Sequence, residues 1–314
     1  MYFRSSIWIL ALAFLGCRDA PVAAPAVVEA TYANPRALIE VAELQGVLGR
    51  PDLKLVDFRQ RSEFDTGHIP GAVPMWRPDI EDPNAAVPGM AAPREEMESL
   101  LSGLGISETD TLVIYDDLAG CNAARLWWVL QLYGYDRTRL LNGGVQAWSN
   151  AGGALVREYP APEPAVFRFA GSGNPESGIS AGELLERLGD NSLVLIDART
   201  AEEYSGKWQK AGAMRAGHIP GSIHRDWAGA THYDGDMRFL SPESLQKRYD
   251  FLPENNSAEV VAYCHSGVRS AHTYFVLTQL LGYEPVRNYD GSWLEWSARE
   301  DAPIQKDSLT QIFK

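Results

Sequence analysis

The chain has 314 residues, 45 % of them apolar, and a net charge of −13. That is about twice the usual length of one domain, with enough apolar side chains for real cores, so two domains are expected. The acidity disfavours nucleic acid and acidic membrane surfaces as main partners, and any anionic substrate must find a local cationic patch.

In chain order, the first segment does not read as fold. Residues 1–16, "MYFRSSIWILALAFLG", carry Arg4 and then an apolar run from Ile7 to Leu15, too short to span a bilayer as a helix and suited to a signal-peptide core. Phe14-Leu15-Gly16-Cys17 resembles a bacterial lipobox, in which the cysteine is lipidated and becomes the new N-terminus; a plain export signal or an uncleaved anchor are the alternatives. An exported protein of the periplasm or cell envelope, lipid-anchored at Cys17, is expected. Residues 17–34, rich in Ala and Pro, read as a flexible tether.

The rest is an internal repeat. Segment 115–135, "YDDLAGCNAARLWWVLQLYGY", aligns without a gap on 263–283, "YCHSGVRSAHTYFVLTQLLGY", 148 residues later. The register runs on to Trp148 and Trp296. Upstream, "LVDFRQRSEFDTGHIPGA" (55–72) matches "LIDARTAEEYSG…AGHIPGS" (195–222), with ten extra residues between Tyr204 and Gly217 in the second copy. Domains are expected at 35–152 and 177–302, joined by a Pro- and Gly-rich linker at 153–176 and followed by a tail at 303–314.

Within the second copy, "ISAGELLERL" reads as a helix with Ser180 as N-cap and Glu183 three residues on. "SLVLID" and "AEVVAYC" read as buried strands, and "SAHTYFVLTQLLG" as a helix ended by Gly282. Short apolar strands alternating with helices predict an α/β fold, each domain a parallel sheet covered by helices on both faces. Such sheets bind ligands beyond the C-terminal ends of their strands, where Cys264 falls.

Cys264 is the candidate nucleophile. A free thiol has a pKa near ~8.5 and is only slightly ionised at pH 7. The loop His265, Ser266, Gly267, Val268, Arg269 leads into a helix whose unpaired N–H groups and dipole favour an anion. Gly267 lets the loop curl so that successive N–H groups point inward, and Arg269 adds positive charge. The same framework in the first copy carries Asp116 at the cysteine position. Cys121 aligns with Arg269, lies near Asp116 and Asp117, and is expected to be unreactive. Three widely spaced cysteines make no disulfide framework, there is no Cys-x-x-Cys pair and the histidines are scattered, so no metal or organic cofactor is expected.

Two copies of Asp-x-Arg…Gly-His-Ile-Pro-Gly, a strand ending in Cys-x4-Arg and a Gly-Ser-Trp-x-Glu-Trp near the end together resemble the tandem-domain rhodaneses, over roughly residues 35–300. That resemblance implies an inactive first domain with Asp116 in the cysteine's place. It implies a second domain in which Cys264 takes a sulfane sulfur from an anionic donor, thiosulfate or 3-mercaptopyruvate, and passes it to a thiophile such as cyanide. Cysteine phosphatases of the related fold use a longer Cys-x5-Arg loop. Ser266, Gly267 and Val268 resemble the mercaptopyruvate type, whereas His265 and Arg269 suit a sulfonate-like anion; thiosulfate is the favoured donor and 3-mercaptopyruvate the alternative. In mercaptopyruvate enzymes a loop serine with a His and an Asp has been proposed to move protons; the matching positions are Ser266, His68 and Asp57, but His68 sits in a turn motif repeated at His218 and reads as structural.

The ten-residue insertion contains Lys207, Lys210 and Arg215 and no acidic residue. It is expected to steer a dianion toward Cys264, with Lys207 and Arg215 as the binding residues, or else to be a solvated loop. Asp57 with Arg59, and Asp197 with Arg199, read as buried or interdomain ion pairs. Trp296 reads as core, and Trp293 as a possible pocket wall. A reading of another class is a non-catalytic, envelope-tethered sulfur carrier or partner-binding module.

Overall fold

A computed structural model describes residues 31–159, 161–253 and 257–306. The expected signal and Cys17 lie outside the described residues, as do residues 307–314. In the first domain the elements are β1 (Leu38–Ile39), α1 (Val41–Val47), β2 (Leu53–Asp57), α2 (Arg61–Thr66), β3 (Ala72–Pro74), α3 (Arg94–Gly103), β4 (Thr111–Tyr115), α4 (Cys121–Leu132), β5 (Thr138–Leu141) and α5 (Gly144–Asn150). In the second they are α6 (Ala181–Glu186), β6 (Leu193–Asp197), α7 (Ala201–Ser205), β7 (Ile223–His224), α8 (Pro242–Arg248), β8 (Glu259–Tyr263), α9 (Val268–Phe275), β9 (Val286–Asn288) and α10 (Ser292–Ala298).

All strand pairs are parallel, in the orders β1-β5-β4-β2-β3 and β7-β6-β8-β9. A parallel bridge from Gly178 to Asn288 stands where β1 stands in the first sheet. The strands are continuous apolar runs because both faces are covered by helices. Each sheet has its own core on one face: Leu44, Phe64, Val113 and Trp148 in the first domain, Leu184, Val261, Tyr289 and Trp296 in the second.

The opposite faces share one core across the domain seam, where α4 packs on α9. Ten of the twelve residues of α4 are buried, as a helix apolar nearly all round requires. Trp127 meets Phe275 edge-on at 5.0 Å between ring centroids. The helical hydrogen bonding of α9 gives way to a π-helical turn over Val276–Leu280 before Gly282, which takes a positive φ of 69°.

Local sequence explains the element starts. Ser180 caps α6, its hydroxyl accepting from the Glu183 N–H at 3.2 Å, but the Glu183 carboxylate pairs with Arg287 instead of closing the box. The capping box forms on α7, between Thr200 and Glu203. The expected tether ends earlier than position 34: the N–H groups of Ala33 and Asn34 bond the carbonyls of Leu280 and Gln279. The expected linker is packed, with Phe167 fully buried in the shared core and Val156 bridged to His68. The first residues of the expected tail belong to the second domain, where Gln305 and His218 exchange backbone hydrogen bonds.

Candidate active site

Cys264 follows β8 directly, at the C-terminal end of a central strand, and its side chain is fully buried. The chain then turns through Ser266 and Gly267, whose φ of 75° makes it the left-handed N-cap of α9. The Ser270 hydroxyl lies 3.5 Å from Sγ, and the backbone N–H groups of Ser266 and Ser270 also point at the sulfur. The other side of the loop is pinned by Ser292, 28 residues later: its hydroxyl accepts from the N–H groups of Cys264 and Gly267, both at 3.1 Å, and donates to the Tyr289 carbonyl at 2.6 Å. Ser292 holds a positive φ of 48°, a strained position for a non-glycine residue, and its partner in the repeat is Gly144.

The first domain shows what this loop is built to hold. There Asp116 stands in the cysteine's place, and its carboxylate accepts four backbone hydrogen bonds at 2.8–3.0 Å, from Leu118, Gly120, Asn122 and Ala123. Burial pushes this carboxyl upward, but all four contacts are donors, and a protonated acid would set its O–H against one of them. The residue sits there as an anion, so the repeated loop is an anion nest.

The electrostatics of the second loop favour a thiolate. Burial alone would push the Cys264 thiol up; the Arg269 guanidinium, the Ser270 hydroxyl and the N–H groups of Ser270 and Ser266 outweigh it and hold the thiol below its ordinary value. Arg269 does this without being a free clamp. Its Nη1 and Nη2 are held by the two oxygens of buried Glu203, at 2.6 and 2.9 Å. It is a fixed charge acting on Cys264, and Glu203, on α7, is the residue that fixes it; any part in cradling the donor's anionic group is played from that fixed position.

In the insertion, the Arg215 guanidinium donates to the carbonyls of Trp296, Ser297 and Arg299 at the end of α10 and so caps that helix. Lys207 is exposed. The insertion cation whose charge acts on Cys264, Arg269 and His265 is Lys210, and partial desolvation, then Arg269, hold its ammonium below the ordinary value. The His265 ring is buried, and burial, then Lys210, bring its pKa down to about 4. It is a neutral hydrogen-bonding group at pH 7, not a positive one. Val268 packs with Cys121, Ala119 and Trp227 beside Cys264.

The first domain closes the site. Gly89 lies against Ser266, so near that a Cβ there would stand 3.5 Å from the Ser266 Cβ. Buried Arg125, on α4, donates to Asp290 at 2.5 Å and to the Gly89 carbonyl at 2.8 Å, and the Ala91 N–H donates to the other Asp290 oxygen. A Cβ on Gly267 would come within 2.4 Å of Asp290 Oδ1, so only glycine fits there. The arrangement is reciprocal: the Phe239 N–H of the second domain bonds Asn142 of the first, and 239 and 142 are the repeat partners of 91 and 290.

The remaining sequence candidates are structural. Asp57–Arg59 and Asp197–Arg199 are buried ion pairs within their own domains, at 2.6 Å each, and both arginines also bond the glycine carbonyl that opens Gly-His-Ile-Pro-Gly. His68 stacks on Phe64 and His218 on Tyr204, each at 3.8 Å. Trp293 is core, its ring 4.4 Å from the Arg199 guanidinium, and is no pocket wall. Cys121 is buried, and burial, then Asp116, push its thiol well above the ordinary value. Among the described residues there is no cluster able to hold a metal ion.

Replacing Ser292 by Gly tests the pin. Gly144 in the first domain shows that Gly is tolerated in this backbone, yet the N–H groups of Cys264 and Gly267 lose their acceptor, at about 1–3 kcal/mol for each unsatisfied group. The expected outcome is a folded protein with turnover reduced by roughly ten- to a hundredfold, measured as kcat beside a melting curve.

A buried cysteine whose thiol pKa is lowered, in a backbone anion nest at the end of a parallel strand, is the arrangement that a sulfurtransferase working through a cysteine persulfide needs. The rhodanese-like domain family matches residues 40–151 and 180–299. The chain is 38 % identical over 283 residues to the putative thiosulfate sulfurtransferase SseA of Mycobacterium tuberculosis, covering 87 % of this chain and 92 % of that protein. It is 37 % identical over 294 residues to the thiosulfate sulfurtransferase of Corynebacterium glutamicum, covering 89 % and 94 %, and 36 % identical over 288 residues to the sulfur carrier protein TtuD of Thermus thermophilus, covering 88 % and 98 %. Among solved structures, the anaerobic ergothioneine biosynthesis enzyme of Chlorobium limicola, in complex with trimethyl histidine, superposes with a TM-score of 0.75 at 25 % identity, over 88 % of this chain and 71 % of that one. The chain belongs to the rhodanese family, as a tandem two-domain member.

Proposed function

We propose that this protein is a thiosulfate sulfurtransferase whose sulfur carrier is Cys264. The observation that carries the reading is the pair of loops: the same backbone that holds the Asp116 carboxylate with four N–H groups surrounds a thiol held below its ordinary pKa in the second domain. The Cys264 thiolate attacks the sulfane sulfur of thiosulfate, the sulfur–sulfur bond breaks and sulfite leaves with its electron pair. The loop N–H groups and the fixed Arg269 charge stabilise the persulfide anion that results. A thiophile then attacks the outer sulfur and Cys264 leaves as thiolate, a double displacement with ping-pong kinetics. Relatives named as thiosulfate sulfurtransferases support this donor.

Lys210 is the cation available to a dianionic donor at the mouth of the loop. Lys210→Ala is expected to raise KM for thiosulfate roughly three- to tenfold at low salt with little change in kcat, the difference shrinking as salt screens it. Steady-state kinetics at two ionic strengths check this.

The Ser266-Gly267-Val268 stretch keeps 3-mercaptopyruvate as the second reading. Comparison of kcat/KM for the two donors on purified protein decides: a strong preference for mercaptopyruvate overturns the thiosulfate assignment. Full biological activity in Cys264→Ser would favour a binding module instead. We also propose export to the cell envelope with a lipid on Cys17, supported by the N-terminal pattern alone. Mass of the mature N-terminus from a membrane extract tests it, and an unmodified or internal Cys17 overturns it.

A further inference from the structure

The insertion does more than place Lys210. Residues 210–212 lie on the catalytic loop: Lys210 acts on His265 and Cys264, the Ala211 carbonyl faces the His265 ring, and a Cβ on Gly212 would stand 3.0 Å from Leu294, whose N–H bonds the His265 carbonyl. Two residues to either side stand Trp208, 51 % exposed, and Met214, 69 % exposed, at most about 8 Å of chain from those contacts. Large apolar side chains turned to water beside a reactive centre, on a segment with lysines and no acidic residue from Ser205 to Gly217, form an interaction surface and not a steering patch alone. A small anion has no use for Trp208 or Met214.

We propose that this insertion docks a macromolecular sulfur acceptor: an extended polypeptide segment that presents a thiol flanked by acidic and apolar residues. Its acidity answers the local cations in a chain of net charge −13. Its extended form follows from the burial of Cys264, which a slender side chain reaches and a broad surface does not. The acceptor thiolate, its proton lost to water, attacks the outer sulfur of the Cys264 persulfide. A new sulfur–sulfur bond forms on the acceptor, the bond to Cys264 breaks, and Cys264 keeps the electron pair as thiolate, with no net oxidation.

The proposal rests on the sulfurtransferase reading, and the test separates the two. The protein is loaded with thiosulfate and the added sulfur is verified by intact mass. Single-turnover discharge is then followed with cyanide, with a peptide whose one cysteine is flanked by glutamates and leucines, and with the same peptide carrying lysines for glutamates. At low salt the acidic peptide is expected to discharge the persulfide roughly tenfold faster than the basic one, with the gap closing at high salt. The uncharged double substitution Trp208→Ser/Met214→Ser is expected to slow the acidic peptide several-fold and leave cyanide discharge unchanged. Equal rates for the two peptides, or a double variant that slows cyanide as much as peptide, overturns the docking surface while the sulfurtransferase reading stands. Failure to load with either thiosulfate or 3-mercaptopyruvate overturns both.

Discussion

Incubated with thiosulfate, the protein is expected to gain one sulfur atom, to lose it on addition of cyanide, and to gain none when Cys264 is replaced by Ala. Turnover in that variant is expected to fall by at least about 10⁴-fold, because the residue is both nucleophile and carrier and nothing nearby replaces it. Cys121 is the nearest candidate among the described residues, but burial and Asp116 push its thiol well above the ordinary value, so it stays protonated. The Cys121→Ala variant should therefore load normally. The pH dependence has a definite sign. Loading needs the thiolate, and Cys264 is held below the ordinary thiol value, so the rate rises with pH and levels off below the ~8.5 expected of a free cysteine. Intact mass after timed quenching across pH measures both results, and a limb at or above the free-cysteine value would contradict the cradle.

Arg269→Gln is expected to have two effects at once. The Glu203 carboxylate is buried and loses the guanidinium that holds it bidentately, and an unpaired buried charge costs about 3–5 kcal/mol of stability. Cys264 loses the largest influence that lowers its pKa, so the pH limb of its alkylation should move up by about one unit or more. Glu203→Gln separates the two: Arg269 keeps its charge, the thiol stays low and the loop loses its anchor. Burial alone would raise Glu203; its bonds to Arg269 and the nearby charges win and lower it. A carboxylate depressed in the folded state adds stability that is complete above its unfolded pKa, near ~4.3, and is lost as pH falls through the folded value. Wild-type protein should therefore lose this contribution on acidification below about pH 4, and Glu203→Gln should show a shallower acid loss. Denaturant melts at several pH values, beside thiol alkylation rates, read out both variants.

The reciprocal bonds across the seam give the first domain a structural part in the second domain's candidate site. Asp116 fills its own nest and needs no ligand, while the segment carrying Gly89 and Ala91 reaches over to hold Asp290 and flank Ser266. The first domain acts as a fixed wall of the second domain's site.

What the sequence alone determined is whatever lies close along the chain. The candidate nucleophile, the turn at Gly267, the helix that follows and the matching loop around Asp116 are readable because a nest is made of successive N–H groups within a few residues. The alternation of apolar strands and helices likewise set the parallel sheets, because each period reports its own burial. What only the tertiary structure decided is the set of long-range partners. Glu203 precedes Arg269 by 66 residues, Ser292 follows Cys264 by 28, and Arg125 lies 165 from Asp290. The first two meet because a parallel sheet gathers the C-terminal ends of distant strands at one edge, and the third because two such edges face each other across the domain seam. The surroundings of the insertion's cations have the same cause: all three share one short segment, and only its path over His265 and α10 sets Lys210 near His265 and Arg215 against the end of α10.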